Sequence, residues 1–274
     1  MARKRITQIF PFLLPIRQKQ RKIFFYTKMY FDKHKYSKSV EPNRLPYEIY
    51  ETKSLMLNRK SGYEMIYQHN KVHNLKLASK MVDGIVINPG ETFSFWQLVR
   101  FADKYTPYKD GLTLSYGKIS GSYGGGLCQL SNVLFWMFLH TPLTIVERHS
   151  HAIENFEPTT EEFPHGIDAT ISEGWLDLKV KNNTSEKYQI KIFFDEFYMY
   201  GQILSNQPPA YTYEVFNGSV EYFKKADKIF QTSSLYQQRK ELDSNKIEEY
   251  FLYNNTCEIG YSLPDNIQLI EKGD

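Results

Sequence analysis

The feature that most constrains this chain is a glycine run, Gly124–Gly126, which ends two residues before Cys128 and precedes a strongly apolar segment. Three residues without Cβ atoms indicate a tight turn, and the apolar run Val133–Leu139 that follows predicts a buried helix. Cys128 would then lie in the first turn of that helix, where unpaired backbone N–H groups and the helix dipole favour a thiolate. Cys128 is therefore a candidate nucleophile. The alternative is a small core cysteine whose neighbouring glycines allow close packing.

The composition fits one large globular domain or a core domain with an appendage. The 274 residues are 41% apolar, which is enough to fill a sizeable core, and a formal net charge of +3 gives no reason to expect a nucleic acid partner. Only two cysteines, Cys128 and Cys257, are present, so a disulfide framework is not expected and a reducing cytoplasm fits better. No apolar run reaches the length that spans a bilayer, and we expect a soluble or peripheral protein.

The N-terminal segment is basic and aromatic. Between Met1 and Tyr30 it contains eight cations and no acidic residue. The cations are Arg3, Lys4, Arg5, Arg17, Lys19, Arg21, Lys22 and Lys28. This composition suits peripheral contact of residues 3–28 with an anionic membrane, at the inner face of the cytoplasmic membrane. The alternative is an arm over residues 1–45 that wraps the core with its aromatic side chains inward and its lysines in water.

Residues 46–205 are predicted to form an α+β core domain, because helix-like and strand-like patterns alternate within it. A helix is expected over 63–82, and the helix that carries Cys128 is expected to pack on an antiparallel sheet. Predicted strands cover 47–57, 85–87, 92–95, 143–151, 167–171, 175–180, 189–194 and 199–204.

Residues 206–274 are predicted to form a β-rich C-terminal appendage after a proline-containing linker. Turn-forming residues indicate one hairpin around Asn217-Gly218 and a second around Asp243. The charged segment near Glu241 could instead be helical.

The residue types that acyl transfer through a cysteine needs follow one another along the core. Cys128 supplies the thiol, His149 or His151 the base that takes its proton, and Asp168 the acid that orients the base. The backbone N–H of Cys128 and the side chain of Gln129 are candidate donors to the oxyanion. A cysteine on a helix, a histidine on a strand and an aspartate on the next strand resemble the order in transglutaminase-like and papain-like folds, by analogy.

The expected strand pairing favours His151 over His149 as the base. Alternate residues of a strand share a face, so both imidazoles would point to the same side. An antiparallel pairing of 143–151 with 167–171 brings the end of the first strand next to the start of the second. His151 is the closer of the two histidines to the connecting loop. We therefore predict that His151 bridges Cys128 and Asp168.

The remaining candidate residues would shape a ligand cleft around the cysteine. They are Gly124, Gly125, Gly126, Ser131 and Arg148. No Lys-Ser/Thr pair follows the glycines, so they do not form a phosphate-binding P-loop. A metal site is an alternative, since the two histidines of the 143–151 strand could join Cys128 and Asp168 as ligands. His69 and His73 form a helical pair, but no third ligand accompanies them. We expect no cofactor and no resident metal.

Four ordered motifs lie between about residues 64 and 200. They are Pro89–Phe95, Gly124–Ser131, Glu147–His151 and Gly166–Thr170. Together they resemble the VanW family. The resemblance implies a bacterial accessory protein linked to glycopeptide (vancomycin) resistance or to cell-wall metabolism. No established activity comes with the family, so a mechanism has to be argued from the residues.

Two hypotheses follow for the function. The first is a cysteine-dependent hydrolase or acyltransferase that acts on an amide or ester, in a peptidoglycan precursor or a cell-envelope protein. The second is a non-catalytic cell-envelope binding or scaffolding module, in which the glycines, His151 and Asp168 shape a ligand cleft or close the fold. The reactivity of Cys128 separates them, since a structural cysteine resists alkylation until the protein unfolds.

Overall fold

A computed structural model describes residues 10–59, 62–115, 118–155, 163–264 and 266–271. Within these ranges the chain has the predicted mixed α+β class, with more strand than helix. The helical elements are a 3-10 turn Pro11–Leu13 and the α-helices α1 Leu14–Phe31, α2 Met65–Ser79, α3 Phe95–Val99 and α4 Cys128–Phe138. The strands are β1 Lys35–Tyr36, β2 Ser39–Val40, β3 Tyr47–Leu55, β4 Ile85–Ile87, β5 Glu91–Ser94, β6 Asp110–Ser115, β7 Lys118–Tyr123, β8 Thr144–Glu147, β9 Ile153–Glu154, β10 Lys179–Lys181, β11 Tyr188–Phe194, β12 Tyr198–Ser205, β13 Tyr211–Lys225, β14 Lys228–Glu241, β15 Ile247–Ile259 and β16 Leu269–Glu271.

The strands of the described ranges form three larger sheets and one hairpin. The first sheet has the order β1-β5-β10-β8, the second, which we call the central sheet, β2-β4-β11-β12-β3, and the third, the C-terminal sheet, β16-β13-β14-β15-β9. Strands β6 and β7 form the separate hairpin. All pairings in the central sheet are antiparallel. The other two sheets each include parallel edge pairings, of β1 with β5 and of β16 and β9 with their neighbours.

The predicted buried helix is α4, which packs on the central sheet against β3 and β12. Every side chain from Val133 to Phe138 is buried. Gly201 of β12 permits this close approach, since a Cβ there would lie 2.6 Å from the sulfur of Met137. Burial of the apolar run fixes α4 on the sheet, and it thereby fixes the position of the first residue of the helix, Cys128.

Of two strands predicted near the cysteine, one is shorter than predicted and the other is absent. Strand β8 ends at residue 147 instead of 151, and 167–171 is not a strand. In the segment 167–171, side chains bind backbone groups that a neighbouring strand would bind in a sheet. The side-chain oxygen of Asn132 accepts from the N–H of Ala169, and Arg148 donates to the carbonyl of Asp168. Because these bonds satisfy the backbone polar groups, no regular ladder forms.

The N-terminal segment contains an α-helix, α1, that sequence analysis did not predict. One side of α1 faces the core through Phe25, Tyr26 and the buried Met29. On its other side, Phe24 and Phe31 are 72% and 77% exposed, so the aromatic side chains do not all point inward. In the described part of the chain, no helix has both the length and the apolar character needed to cross a membrane.

The C-terminal sheet includes a strand from the predicted core, because β9 pairs in parallel with β15. The hairpin predicted around Asp243 is confirmed as β14 and β15. The hairpin predicted around Gly218 is wrong, since β13 continues through this position with a bulge. A Cβ on Gly218 would lie 2.5 Å from the ring of Tyr236, so this glycine allows close packing at the bulge instead of making a turn. The domain boundary between residues 205 and 206 stays a prediction.

Candidate functional site

A glycine loop positions Cys128 at the start of α4. Gly124 and Gly126 have φ angles of +72° and +92°, which residues with a Cβ rarely adopt. A Cβ on Gly125 would lie 2.1 Å from the carbonyl oxygen of Gly111 in β6, so the loop backbone lies directly against this hairpin. Glycine is therefore required at these positions by conformation and by contact.

Asn74 of α2 holds the same loop from the other side. The fully buried side chain donates to the carbonyls of Lys109 (2.8 Å) and Gly125 (3.0 Å) and accepts from the N–H of Lys109 (2.8 Å). Buried amides that satisfy backbone groups on two segments fix those segments relative to each other. The loop is thus held between α2 and β6 before the chain enters α4.

The backbone at the start of α4 provides unpaired donors. Among the described residues, the N–H groups of residues 126–128 have no hydrogen-bond acceptor. The side chain of Gln129, a predicted oxyanion donor, gives its N–H groups to Ser54 Oγ (2.8 Å) and to the carbonyl of Leu55 (2.7 Å). These two bonds use both amide hydrogens of Gln129. The backbone N–H of Cys128 is the donor that remains.

His151 lies between Asp168 and Cys128. Its Nδ1 is 2.8 Å from Asp168 Oδ2, and the same carboxylate oxygen accepts from the backbone N–H of His151 at 2.5 Å. The Thr170 hydroxyl lies 2.6 Å from Nδ1 and donates to Asp168 Oδ2 at 3.2 Å. Because Nδ1 is bound to Asp168, Nε2 is the nitrogen that remains for the interaction with the Cys128 thiol. The structure therefore brings Cys128, His151 and Asp168 together.

These contacts favour the charged forms of both His151 and Asp168. Burial disfavours the imidazolium, but hydrogen bonds to Asp168 and to Cys128 outweigh it and raise the pKa of His151 to about 10. Burial also disfavours the carboxylate, yet the bonds to His151 hold the pKa of Asp168 below its ordinary value. At neutral pH the site is an imidazolium between a carboxylate and a cysteine sulfur.

The two cysteines have different environments. Cys128 is partly exposed, and its Sγ lies 3.9 Å from the carbonyl oxygen of Ile171. Cys257 is buried in the C-terminal sheet, where burial and the neighbouring Glu154 raise the pKa of its thiol to about 12. Both are free thiols, and Cys128 is the one next to an imidazole.

His149 has a different partner from His151. Its Nε2 lies 3.0 Å from Oε1 of Glu147, whose other oxygen is 2.9 Å from the ammonium of Lys179. The prediction that the two histidines share a strand face is wrong, because β8 ends before both of them. Of the residues that the structure describes, no three His, Cys, Asp or Glu side chains are grouped so that they could hold a metal ion.

Two predicted ligand-binding residues hold the backbone segment 166–169. Ser131 is fully buried, and its hydroxyl donates to a carbonyl of this segment at 2.6 Å. Arg148 donates to two more carbonyls of the segment, at 2.7 and 3.0 Å, and to Asn255 Oδ1 at 3.0 Å. Through these contacts Ser131 and Arg148 position Asp168 for its bonds to His151.

Sequence analysis did not identify Thr170 as part of the site. Its hydroxyl contacts both His151 and Asp168. The signal in the sequence is the spacing Asp168-Ala-Thr170, since alternate side chains of an extended segment point to the same side. The Thr170 hydroxyl is thus a second hydrogen-bonding group, beside Asp168, that holds the His151 imidazole in place.

Comparison with known proteins finds related chains. Residues 70–204 match the family described as VanW like protein. The chain is 49% identical over 273 residues to the Vancomycin B-type resistance protein VanW of Enterococcus faecalis, a similarity that covers 99% of each chain. It is 34% identical over 122 residues to the uncharacterized protein YoaR of Bacillus subtilis, covering 44% of this chain and 39% of that protein. No solved structure matches the chain.

Proposed function

This chain belongs to the VanW family, and from that premise we propose that it acts in vancomycin resistance as a cysteine-dependent acyltransferase or hydrolase. The bond it acts on is an amide or ester in a cell-wall precursor or in an envelope protein. The Enterococcus faecalis relative has vancomycin resistance in its name, and its similarity to this chain extends over nearly the whole length. We place the protein in the cytoplasm, at the inner face of the membrane.

One observation carries the catalytic part of the proposal. His151 is hydrogen-bonded to Asp168 through Nδ1 and interacts with Cys128 on its other side. A nucleophile, a base and an acid that orients the base are the groups that acyl transfer requires, whatever the fold on which they occur. The cysteine, the histidine and the aspartate also follow one another along the chain in the order found in transglutaminase-like and papain-like folds. This is an analogy that rests on sequence order alone.

The groups present account for each step of acyl transfer. The thiolate of Cys128 attacks the carbonyl carbon, so that a C–S bond forms and the π electrons move to the oxygen. The backbone N–H of Cys128 donates to this oxyanion. When the intermediate collapses, the bond to the leaving amine or alcohol breaks and the leaving group takes the proton of His151. Water or an acceptor amine then attacks the carbonyl carbon of the thioester and gives a proton to His151. The C–S bond breaks, so that the acid or the new amide is released and the Cys128 sulfur is free again.

Iodoacetamide is expected to label Cys128 in the folded protein at pH 7 at least about a hundredfold faster than Cys257. Cys128 is partly exposed beside an imidazolium, whereas burial raises the pKa of Cys257 to about 12. Quenched time points analysed by peptide mass spectrometry measure both rates in one sample, and Cys257 is the internal control. If Cys128 resists the reagent until urea unfolds the chain, the covalent mechanism fails. A non-catalytic binding or scaffolding module is then the better account.

We also propose that α1 holds the protein at an anionic membrane face. Apolar side chains that recur at helical spacing form a stripe on the side of α1 away from the core. The stripe consists of Ile16, Ile23, Phe24 and Phe31, which are 56%, 59%, 72% and 77% exposed. Exposed cations flank it, namely Arg17, Lys19 and Lys28. An apolar stripe between cations is typical of a helix that lies in the headgroup region of an anionic bilayer.

The cations at residues 3–5, predicted for the same contact, lie outside the described residues.

Replacing Arg17, Lys19 and Lys28 together by Gln is expected to weaken binding to phosphatidylglycerol vesicles at low salt by about a hundredfold. The estimate takes about 1 kcal/mol for each cation near an anionic surface. Arg21 and Lys22 stay unchanged, because they contact Trp175 and Glu173 and so attach α1 to the core. Co-sedimentation over a range of vesicle concentrations measures the affinity.

The control for this experiment is a chain with the same loss of charge elsewhere. Gln at three exposed lysines outside α1, Lys38, Lys80 and Lys225, should leave vesicle binding nearly unchanged. Equal weakening in the two triple variants would mean that net charge, and not α1, determines binding. If the intact chain does not bind phosphatidylglycerol vesicles, α1 has a structural role only.

A further inference from the structure

A cavity of about 220 Å³ lies between the turn after α4 and the C-terminal sheet. The turn contributes Pro142 and Leu143, and the strands β13, β14 and β15 contribute Tyr213, Gln237, Arg239 and Tyr250. Helix α4 begins at Cys128 and has 11 residues, so about 16 Å of helix separates its first residue from this turn. The cavity is therefore distinct from the candidate functional site.

Two side chains that line the cavity carry buried polar atoms without a partner. Among the described residues, neither the Tyr213 hydroxyl nor Nε of Arg239 has a hydrogen-bond partner, although both atoms are buried. Burial raises the pKa of Tyr213, so its hydroxyl keeps the proton at neutral pH and can donate it. Buried donors without an acceptor are rare in folded proteins, because they lose their bonds to water and gain none in return. A ligand with acceptor oxygens in the cavity would satisfy both atoms.

The guanidinium of Arg239 is held in place and its charge is balanced. It forms an ion pair with Glu248 and donates to the Tyr250 hydroxyl at 2.8 Å. Its central carbon lies 4.5 Å from the ring centroid of Tyr211 and 5.2 Å from that of Tyr250. Lys246, whose side chain is 66% exposed, binds the other carboxylate oxygen of Glu248. Because the arginine that lines the cavity already has a counter-ion, the cavity suits a neutral polar ligand better than an anion.

The rest of the lining combines an acceptor with apolar surface. The side-chain amide of Gln237 donates to the carbonyl of Leu139 at 2.6 Å, which fixes the amide at the end of α4. Its oxygen has no donor among the described residues. Pro142, Leu143 and the ring of Tyr250 are the apolar part of the lining. Donors, an acceptor and apolar walls together match a ring whose hydroxyls donate and accept and whose C–H faces are apolar.

We propose that this cavity binds one neutral sugar unit of a saccharide. Sugar oxygens accept from the Tyr213 hydroxyl and from Nε of Arg239, and a sugar hydroxyl donates to the Gln237 oxygen. A volume of about 220 Å³ is below the range of pockets for drug-sized ligands and suits a single substituted ring. An amide has one oxygen for the two donors, whereas adjacent hydroxyls give each donor its own acceptor. The proposal is independent of the reaction at Cys128.

Titration of the intact chain with neutral monosaccharides tests the cavity. The probes are glucose, galactose, mannose and N-acetylglucosamine, and at least one is expected to bind with a Kd of about 1 mM or lower, as is usual for a ligand of this size. N-acetylalaninamide and acetate are the comparison probes for an amide and an anion. Isothermal titration calorimetry measures each affinity.

Tyr213→Phe removes only the unpartnered hydroxyl. It should weaken sugar binding by about fivefold, the effect of one lost neutral hydrogen bond. The melting temperature should stay unchanged or rise, because the hydroxyl has no partner to lose in the free protein. Tyr222→Phe is the matched control, since residue 222 lies about 30 Å further along β13, where its hydroxyl accepts from Gln231. This control should bind the sugar as tightly as the parent chain does.

Each result bears on the cavity separately from catalysis, because no turnover is involved. Absence of binding for all four sugars, or unchanged sugar binding in Tyr213→Phe, would overturn the proposal. Equal weakening in Tyr222→Phe would place the sugar elsewhere on the protein and overturn it as well. Tighter binding of N-acetylalaninamide or acetate than of every sugar would overturn the assignment to a saccharide. A lower melting temperature of Tyr213→Phe would show that the hydroxyl has a structural partner, which contradicts the premise.

Discussion

Cys128→Ser is expected to abolish the contribution of this chain to growth in vancomycin while leaving the fold intact. A hydroxyl in place of the thiol is a far weaker nucleophile beside the same imidazole, and loss of the nucleophile in such a constellation lowers turnover by at least about a thousandfold. Apart from its interaction with His151, the Cys128 side chain makes one weak hydrogen bond within the described ranges, to the Ile171 carbonyl at 3.9 Å. We therefore expect the free energy of unfolding to change by no more than about 1 kcal/mol. The minimum inhibitory concentration, in a strain with the remaining resistance genes, measures the effect.

Cys257→Ser is the control for this substitution. Cys257 is buried in the C-terminal sheet, and its sulfur is 3.8 Å from a carboxylate oxygen of Glu154. This variant should retain resistance at equal protein level. Full resistance in the Cys128→Ser chain would rule out covalent catalysis and leave the binding or scaffolding function.

His151→Ala is expected to lower the rate of Cys128 alkylation at pH 7 by about tenfold or more and to lower activity by about a hundredfold or more. His151 interacts with the Cys128 sulfur and is the group that would exchange a proton with the thiol and with the leaving group. His149→Ala is the matched control, because His149 is hydrogen-bonded to Glu147. Labelling rates of the two variants, measured side by side with iodoacetamide, give the ranking. A larger loss in His149→Ala would make His149 the base.

The His151→Ala variant has a pH signature that a histidine without a charged partner would not give. The pKa of His151 is raised in the folded protein from 6.5 to about 10, so the charged form stabilises the fold fully below about pH 6.5. This contribution is lost as the pH rises through about 10. The pKa of Asp168 is lowered, so its contribution is present above its ordinary pKa and is lost in acid. The difference in the free energy of unfolding between the parent chain and His151→Ala should therefore shrink between pH 7 and pH 10, as measured by urea titration. A constant difference would contradict the ion pair.

Part of the site could be read from the order of residues alone. The glycine run and the apolar segment after it predict a loop and a buried helix, and the structure has both. The local sequence suffices here, because an apolar run lowers its free energy by burial and a helix satisfies the backbone groups within the segment itself. The pairing of His151 with Asp168 was also expected from their positions on either side of one loop, although neither lies on a strand as predicted.

The tertiary structure decided which partner each polar group takes. Gln129 gives its amide hydrogens to β3, and Arg148 donates to backbone carbonyls beside Asp168. Their roles as oxyanion donor and ligand-binding residue stay predictions. The stem of Lys71 lies against Gly126, a residue far from it in the sequence. Periodicity reports which side of an element is buried. It does not report which distant carbonyl, carboxylate or glycine lies opposite a given side chain, because that depends on how separate elements pack together.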